Sequence, residues 1–317
     1  MRTSSGSSAE VTLDAPVKVN LHLGIHPGRD ERGYHRADSV MIALAVGDSV
    51  RVALCAPNAP EATQAAQAPG GVLLRMSEDV GVDPQHNTAW QAAARFREAF
   101  HIAAPVLVEV TKRVPPQSGL GGSSSDAASV LLALAKLCGV PAKEPGGEER
   151  LAAIARSIGA DVPFFLDPRP TYLVGAGDVP RESFPELTGV PVVLVRPRAG
   201  VSTAAAYRAF DARPSLPASP EPMLAALRDG DAMAVAAALH NNLQAAAMRI
   251  VPEDSDVLAW LERQPGVLAA QVTGSGSCVF GICETRRAAR RVAAAAQDAK
   301  DWWSCATITV GKGAQFC

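Results

Sequence analysis

The chain has 317 residues, with 30 Lys and Arg against 32 Asp and Glu, a formal net charge of −2, and 48% hydrophobic residues. A near-neutral chain with no run of Lys or Arg lacks the cationic face that holds nucleic acid by counterion release, which argues against a duplex-binding role. No stretch approaches the roughly 18 consecutive apolar residues of a membrane span, and the start, MRTSSGSSAEV, carries no apolar signal segment; a cytoplasmic protein without a membrane partner is expected.

The length favours two domains on a prior of roughly 100–200 residues each. Six cysteines, Cys55, Cys138, Cys278, Cys283, Cys305 and Cys317, are scattered without a C-x-x-C or a His at ligand spacing. Neither a disulfide framework nor a zinc site is suggested, and the cysteines are expected to act as small core residues.

In chain order, VTLDAPVKVNLHLGI and DSVMIALAVGDSVRVAL predict paired antiparallel strands joined by a turn at RDERGYH. The Ala-, Pro- and Gln-rich residues 56–71 have no periodic apolar face and are expected to form a mobile loop. Strand VLLRM follows, then helix NTAWQAAARFREAFH with Asn87 as N-cap, then strand PVLVEVTKRV. A Gly/Ser loop leads into the apolar helix DAASVLLALAKLCG, expected to end at Gly139 with Pro141 beyond. Helix LAAIARSIGA and DVPFFLD precede a Gly/Pro-rich stretch at residues 174–189.

From Pro191 the predicted order is strand PVVLVRP, helices through STAAAYRAF, a Pro/Ser linker, helices AMAVAAALHNNLQAAAM and SDVLAWLERQ, strand VLAAQV, loop TGSGS, strand CVFGIC, helix TRRAARRVAAAAQDA and strand ATITV. Without the extra helices this is β-α-β-β-α-β, a ferredoxin-like sandwich. The domain boundary is expected near residues 175–177, giving an α+β chain with domains at 1–175 and 176–317.

The segment Pro115-Pro116-Gln117-Ser118-Gly119-Leu120-Gly121-Gly122-Ser123-Ser124-Ser125-Asp126-Ala127-Ala128 lies between a strand and an apolar helix. Its glycines let backbone N–H groups turn inward, and its serines open the helix; this is the physical recipe for cradling a polyphosphate. It is neither a Walker A loop nor the Rossmann fingerprint, and a plain connector would share its composition.

This loop resembles the P-x-x-x-G-L-G-S/G-S-S-x-A-A hallmark of the GHMP small-molecule kinases. Four further segments carry the resemblance in the family's order: Ala15-Pro16-Val17-Lys18-Val19-Asn20-Leu21, Gly33-Tyr34-His35, Gly159-Ala160-Asp161-Val162-Pro163-Phe164-Phe165 and Thr273-Gly274-Ser275-Gly276-Ser277-Cys278-Val279-Phe280. The resemblance implies a ribosomal protein S5 domain 2-like N-terminal domain followed by a ferredoxin-like domain. It implies ATP and Mg²⁺ as cofactors and phosphorylation of the 2-hydroxyl of a cytidine diphosphate-linked polyol in non-mevalonate isoprenoid synthesis. Alternatives are a family kinase for mevalonate, homoserine or a sugar, or a non-catalytic nucleotide- or RNA-binding module of the same fold. A monomer or homodimer is expected.

By the same resemblance Asp161 is the base. Its apolar neighbours would make an unpaired carboxylate costly, so a cationic partner is expected. Lys18 is the candidate, because strand alternation sets Lys18, Asn20 and His22 opposite Val17, Val19 and Leu21, although a solvated strand face would show the same pattern. Pro115, Gly119, Leu120, Gly121, Gly122, Ser123, Ser124 and Ser125 are expected to hold the nucleotide phosphates, with Asn87 on the adenine side. Ser124 or Ser125 is placed to reach a Mg²⁺, whose other ligands the sequence does not identify.

Tyr34 and His35 are the implied cytidine contacts, the Tyr by stacking and the His ring with nearby backbone by reading the base edge; a Tyr packed on the sheet is the bland alternative. Asn20, Tyr207, Gly274 and Gly276 complete the expected substrate side, the glycines allowing close backbone approach to substrate phosphate or to the Gly119 loop. The chain departs from the family pattern at Thr88 for Leu, Ser123 for a third Gly, and Asn242 for the Asp of an N-D pair.

Overall fold

A computed structural model describes residues 8–31, 33–140 and 146–311; Pro141 and Cys317, both named above, lie outside them. Strands β1 (Ala9–Ile25) and β2 (Ala37–Leu54) form a long antiparallel pair. Bulges between Pro16 and Val17 and between Asn20 and His22 shift its register. The alternation of β1 is unbroken, yet its one apolar face feeds three cores in turn along its length: Leu13 and Ala15 the first, Val17, Val19 and Leu21 the second, Leu23 and Ile25 the third.

Helix α1 (Pro60–Gln67) comes next, then β3 (Val72–Met76), α2 (Thr88–Ala99), β4 (Val106–Thr111), α3 (Gly122–Leu137) and α4 (Gly147–Ile158). The Asn87 side chain caps α2 by accepting from the Ala89 N–H at 2.9 Å, as its sequence position predicted. Helix α3 is the axis of this half: Ala127, Ala128, Val130, Leu131 and Leu134 are buried against Phe96 of α2 and the strand residues Val50, Val52 and Val108. Each such leucine contributes roughly 1.5–3 kcal/mol of burial, enough to fix a helix whose first turn carries the phosphate loop.

The hairpin β5 (Thr171–Val174) and β6 (Val179–Ser183) straddles the start of the Gly/Pro-rich stretch at residues 174–189, and β5 pairs with β2. Then follow β7 (Pro191–Arg196), α5 (Thr203–Ala212), α6 (Glu221–Asp229), α7 (Ala232–Ala237), β8 (His240–Asn241), α8 (Gln244–Ile250), α9 (Glu253–Glu262), β9 (Val267–Val272), β10 (Val279–Cys283), α10 (Arg286–Lys300) and β11 (Trp303–Val310). The strands run β11-β7-β10-β9 with antiparallel neighbours, the order of a split-βαβ sandwich. Strand β11 also pairs with β2 through Thr309 and Val310, so both halves share one sheet path. They share a core as well, where Val17 and Val19 meet Val192, Leu194 and Phe280.

Three expectations need correction. Residues 56–71 are not simply a loop: α1 forms there because Ala62 and Ala65, three apart, bury against Ala53, Cys55 and Leu107. Alanine gives this face too little contrast to register as periodicity. The predicted helix at residues 232–248 is broken at β8, where Asn241 donates to the Val272 and Gly274 carbonyls at 2.8 and 3.0 Å and His240 pairs with His22. Finally, β1 is no half-buried strand, since its polar face, Lys18, Asn20 and His22, is buried too.

Candidate active site

Helix α3 begins at Gly122 with Gly121 as its N-cap, in the left-handed region at φ 72°, and no side chain caps the first turn. Its helical hydrogen bonding starts with the Ser125 N–H donating to the Gly121 carbonyl at 2.9 Å. The first-turn N–H groups of Gly122, Ser123 and Ser124 therefore have no helical acceptor, and the positive end of a 16-residue helix faces a cleft of about 850 Å³ lined by those residues. An oxyanion is what such a terminus binds.

The loop before the helix is held by backbone. Gly119 has φ 74°, and a Cβ there would collide with the Thr273 carbonyl. The Cys278 N–H donates to the Ser118 carbonyl at 3.1 Å, and the Lys18 N–H to the Leu120 carbonyl at 2.9 Å. Of the two contacts expected of Gly274, the structure contains the one with the Gly119 loop: a Cβ at Gly274 would lie 3.0 Å from the Gly119 carbonyl oxygen.

Lys18 is buried beside this loop. Its Nζ donates to Asn20 Oδ1 at 2.6 Å and to the Gly119 carbonyl at 3.0 Å, and lies 3.5 Å from Asp161 Oδ2. Asn20 is itself fixed by donating through Nδ2 to Ser39 Oγ at 3.0 Å and through its backbone N–H to Thr273 Oγ1 at 3.1 Å. A solvated strand face is thus ruled out for Lys18. Asp161, on the turn after α4, keeps its side chain 36% exposed, so its carboxylate meets both the lysine and the cleft.

The cleft brings together Lys18, Asn20, Tyr34, His35, Asn87, Pro115, Gly119, Gly121, Gly122, Ser123, Ser124, Asp161, Tyr207 and Gly274. Leu120, Ser125 and Gly276 are not among its lining residues: Leu120 and Ser125 are fully buried, and Gly276 packs toward Ala247 and Asp254. Helical phase explains Ser125, which turns into the α3 core while Ser123 and Ser124 face out. Ser124 therefore stands as the cleft-facing hydroxyl of the pair, near Gly159, where an added Cβ would lie 4.0 Å from Ser124 Oγ.

At one end of the cleft the Tyr34 side chain is not packed on the sheet; the residue is 57% exposed. His35 is buried, stacked on Tyr207 with centroids 5.4 Å apart and 21° between planes. Its Nδ1 lies 3.0 Å from the His26 carbonyl, and its Nε2 is at ion-pair distance, 2.9 Å, from Asp211 Oδ1 without a hydrogen bond. Burial, and then the Asp161 carboxylate, push the Tyr207 phenol up to about 12, which keeps it a neutral hydrogen-bond donor at the cleft wall.

At the other end lie Met76, Val80, Val82, Asn87 and Thr88. The Thr88 hydroxyl donates to the Ser123 carbonyl at 2.7 Å, which ties α2 to the phosphate turn where the family pattern has leucine. Asn242, the other departure, uses both ends of its amide: it accepts from the Ile25 N–H and donates to the Ile25 carbonyl, each at 2.8 Å. An aspartate could make only the first bond.

Sequence reasoning missed a charged cluster behind the loop. Lys112 Nζ pairs with Asp48 and lies 2.9 Å from Asp126 Oδ2, and Asp48 accepts the Arg113 and Val114 N–H groups. Burial chiefly pushes the Asp126 carboxyl up to about 7, against the pull of Lys112. The lysine immediately before the Gly/Ser loop was the available signal, yet a strand-end lysine alone does not say which carboxylates it meets.

This fold and cleft define a small-molecule phosphotransferase architecture. Residues 87–167 match the GHMP kinases N terminal domain and residues 223–301 the GHMP kinases C terminal. A 4-diphosphocytidyl-2-C-methyl-D-erythritol kinase of Desulfitobacterium hafniense is 36% identical over 90% of this chain and 91% of its own length. One of Rhizobium johnstonii is 34% identical over 98% and 96%. The crystal structure of a 4-(cytidine 5'-diphospho)-2C-methyl-D-erythritol kinase superposes with TM-score 0.73 at 32% identity, covering 96% of this chain and all (100%) of the other. The chain belongs to the GHMP kinase family.

Proposed function

We propose that this chain transfers the γ-phosphoryl group of ATP to the 2-hydroxyl of 4-diphosphocytidyl-2-C-methyl-D-erythritol, a step of non-mevalonate isoprenoid synthesis. The observation that carries the chemistry is the Lys18–Asp161 pair at 3.5 Å beside the uncapped start of α3. The relatives' shared activity at 34–36% identity over at least 90% of this chain supports the substrate.

Phosphoryl transfer passes through a loose transition state, so positioning and charge stabilisation dominate. On this reading the first-turn N–H groups of α3 hold the nucleotide phosphates, and Asp161 orients the acceptor hydroxyl and takes its proton. A carboxylate is a weak base for an alcohol, so proton transfer lags behind cleavage of the P–O bond. Lys18 balances the negative charge that develops on the acceptor oxygen, and its bonds to Asn20 and Gly119 fix it there in advance. Asn87 and Thr88 border the adenine end, and Tyr34 offers its exposed ring to the cytosine.

The donor set fits a Mg²⁺ that keeps several waters and takes phosphate oxygens, because one cleft-facing protein hydroxyl is enough for such a site; Ser124 would hold it. When bound, it neutralises charge between the phosphates. We further take residues 1–175 and 176–317 as the two domains; the βαββαβ order from β7 onward supports a second domain, while β6 pairs back onto β5 of the first. No helix among the described residues is long and apolar enough to cross a membrane.

The test is ATP turnover by the purified protein with 4-diphosphocytidyl-2-C-methyl-D-erythritol, mevalonate or homoserine as acceptor. A kcat/KM at least 100-fold higher for the cytidine compound is expected; equal rates would overturn the assignment.

A further inference from the structure

Three residues of α5, spaced i, i+3 and i+4, close around one imidazole. Tyr207 stacks on the His35 ring, Phe210 meets it edge-on with centroids 5.8 Å apart and planes at 89°, and Asp211 Oδ1 lies 2.9 Å from its Nε2. That spacing puts all three on one helix face. The fourth side of the ring is taken by the His26 carbonyl, 3.0 Å from Nδ1. His35 is therefore held at Nδ1 and by rings on its face and edge, with the Asp211 carboxylate at ion-pair distance from Nε2.

The other oxygen of Asp211 binds Arg29 Nη2, while Arg29 Nη1 donates to the Gly33 carbonyl at 3.3 Å. One carboxylate thus grips the β1–β2 connection twice, at Arg29 and at His35, and Tyr34 sits immediately before the second grip. Asp211 itself does not line the cleft, whereas Arg29, Gly33, Tyr34, His35 and Tyr207 do. It acts on a ligand only through the residues it holds.

We infer that Asp211 is the positioning residue for base recognition: by clamping Arg29 and His35 onto α5 it fixes the Tyr34 segment and the Tyr207 ring around the cytosine end of the acceptor. The inference rests on the function proposed above. His35 serves as a strut between the loop and α5. Without the clamp, ordering the loop would be charged against acceptor binding, while the phosphate end of the cleft, with Lys18 and Asp161, would be unaffected.

The experiment compares wild type with Asp211→Ala, Asp211→Asn and Asp211→Glu, measuring kcat and both KM values, with thermal melts as a control for folding. Asp211→Ala is expected to raise KM for the cytidine acceptor at least tenfold and to leave kcat and KM for ATP within twofold. Asp211→Asn, which keeps an oxygen for His35 but gives up the charge facing Arg29, should fall between; Asp211→Glu should recover part of the loss. If Asp211→Ala unfolds, the near-isosteric Asp211→Asn decides by the same split between the two KM values. An unchanged acceptor KM, or an equal rise in both KM values, overturns the inference. Wild-type failure on the cytidine acceptor would instead overturn the proposed function, so the two outcomes are distinct.

Discussion

Lys18 and Asp161 are 143 positions apart, and yet Lys18 Nζ lies 3.5 Å from Asp161 Oδ2, with the lysine buried and the aspartate open to the cleft. The asymmetry matters. The lysine's other two contacts, Asn20 Oδ1 and the Gly119 carbonyl, fix it in place, so Asp161 is the member that can exchange its partner for an acceptor hydroxyl.

Asp161→Asn is therefore expected to lower kcat by about 10²–10⁴, the usual contribution of a positioned acid–base group, while ATP affinity stays within twofold. Lys18→Met should lower kcat as well, and should also loosen the Gly119 loop, so its KM for ATP rises. Single-turnover rates together with nucleotide titration would separate the two effects. Full activity of Asp161→Asn would remove it from the mechanism.

Gly119→Ala tests the phosphate loop by crowding it. The residue has φ 74° and its new methyl would meet the Thr273 carbonyl, so both the backbone conformation and the packing against the 273–278 loop are opposed. Gly139→Ala is the control, because Gly139 has φ 64° with nothing within 4 Å of an added Cβ. The control should cost about 1 kcal/mol from the left-handed conformation alone. Gly119→Ala should cost more in Tm and raise KM for ATP, and equal behaviour of the two variants would contradict the packing argument.

The contrast between these two glycines marks what the sequence could convey. The Gly/Ser loop and the βαββαβ order were legible because short-range pattern encodes them, as a strand-loop-helix boundary and a hydrophobic period, whereas Lys18 and Asp161 were singled out by the resemblance to the GHMP kinases, since alternation alone fits a solvated face. The turn of Ser125 into the core follows from where α3 begins, four residues earlier than its apolar stretch suggested. Asp211 and the Lys112 cluster were not legible, since each depends on tertiary approach between segments that local pattern does not connect. Helix α1 was missed because a face made of Ala62 and Ala65 carries almost no hydropathy contrast.

Asp254, in the first turn of α9, is fully buried, and neither carboxylate oxygen has a hydrogen-bond partner. Burial pushes its carboxyl up to about 7, with Arg196 pulling the other way. A carboxyl with a folded pKa above its unfolded value contributes stability that is present at acid pH and lost as pH rises through about 7. Asp254→Asn removes that titration, so the Tm difference between variant and wild type should move in the variant's favour from pH 5 to pH 8, by roughly 1–3 kcal/mol in stability. A difference that does not vary with pH would show that this carboxyl is ionised throughout the range.

His22 supplies the opposite slope. It lies in β1 against His240 of β8, with ring centroids 5.1 Å apart, and Nε2 is buried without a partner. Burial, reinforced by His240 and opposed by Asp38, lowers its pKa from 6.5 to about 4. The unfolded chain therefore takes up this proton first: the stability tied to neutral His22 is present above pH 6.5 and is lost as pH falls toward 4. Full protonation across that interval corresponds to about 3 kcal/mol by linkage. His22→Gln should lower stability modestly at pH 7.5 by disturbing the β1–β8 contact, and should flatten the loss between pH 6.5 and 4.5 in denaturant titrations. An equally steep acid limb in the variant would assign that limb to other groups, with His240 the first to examine, because burial lowers its pKa as well.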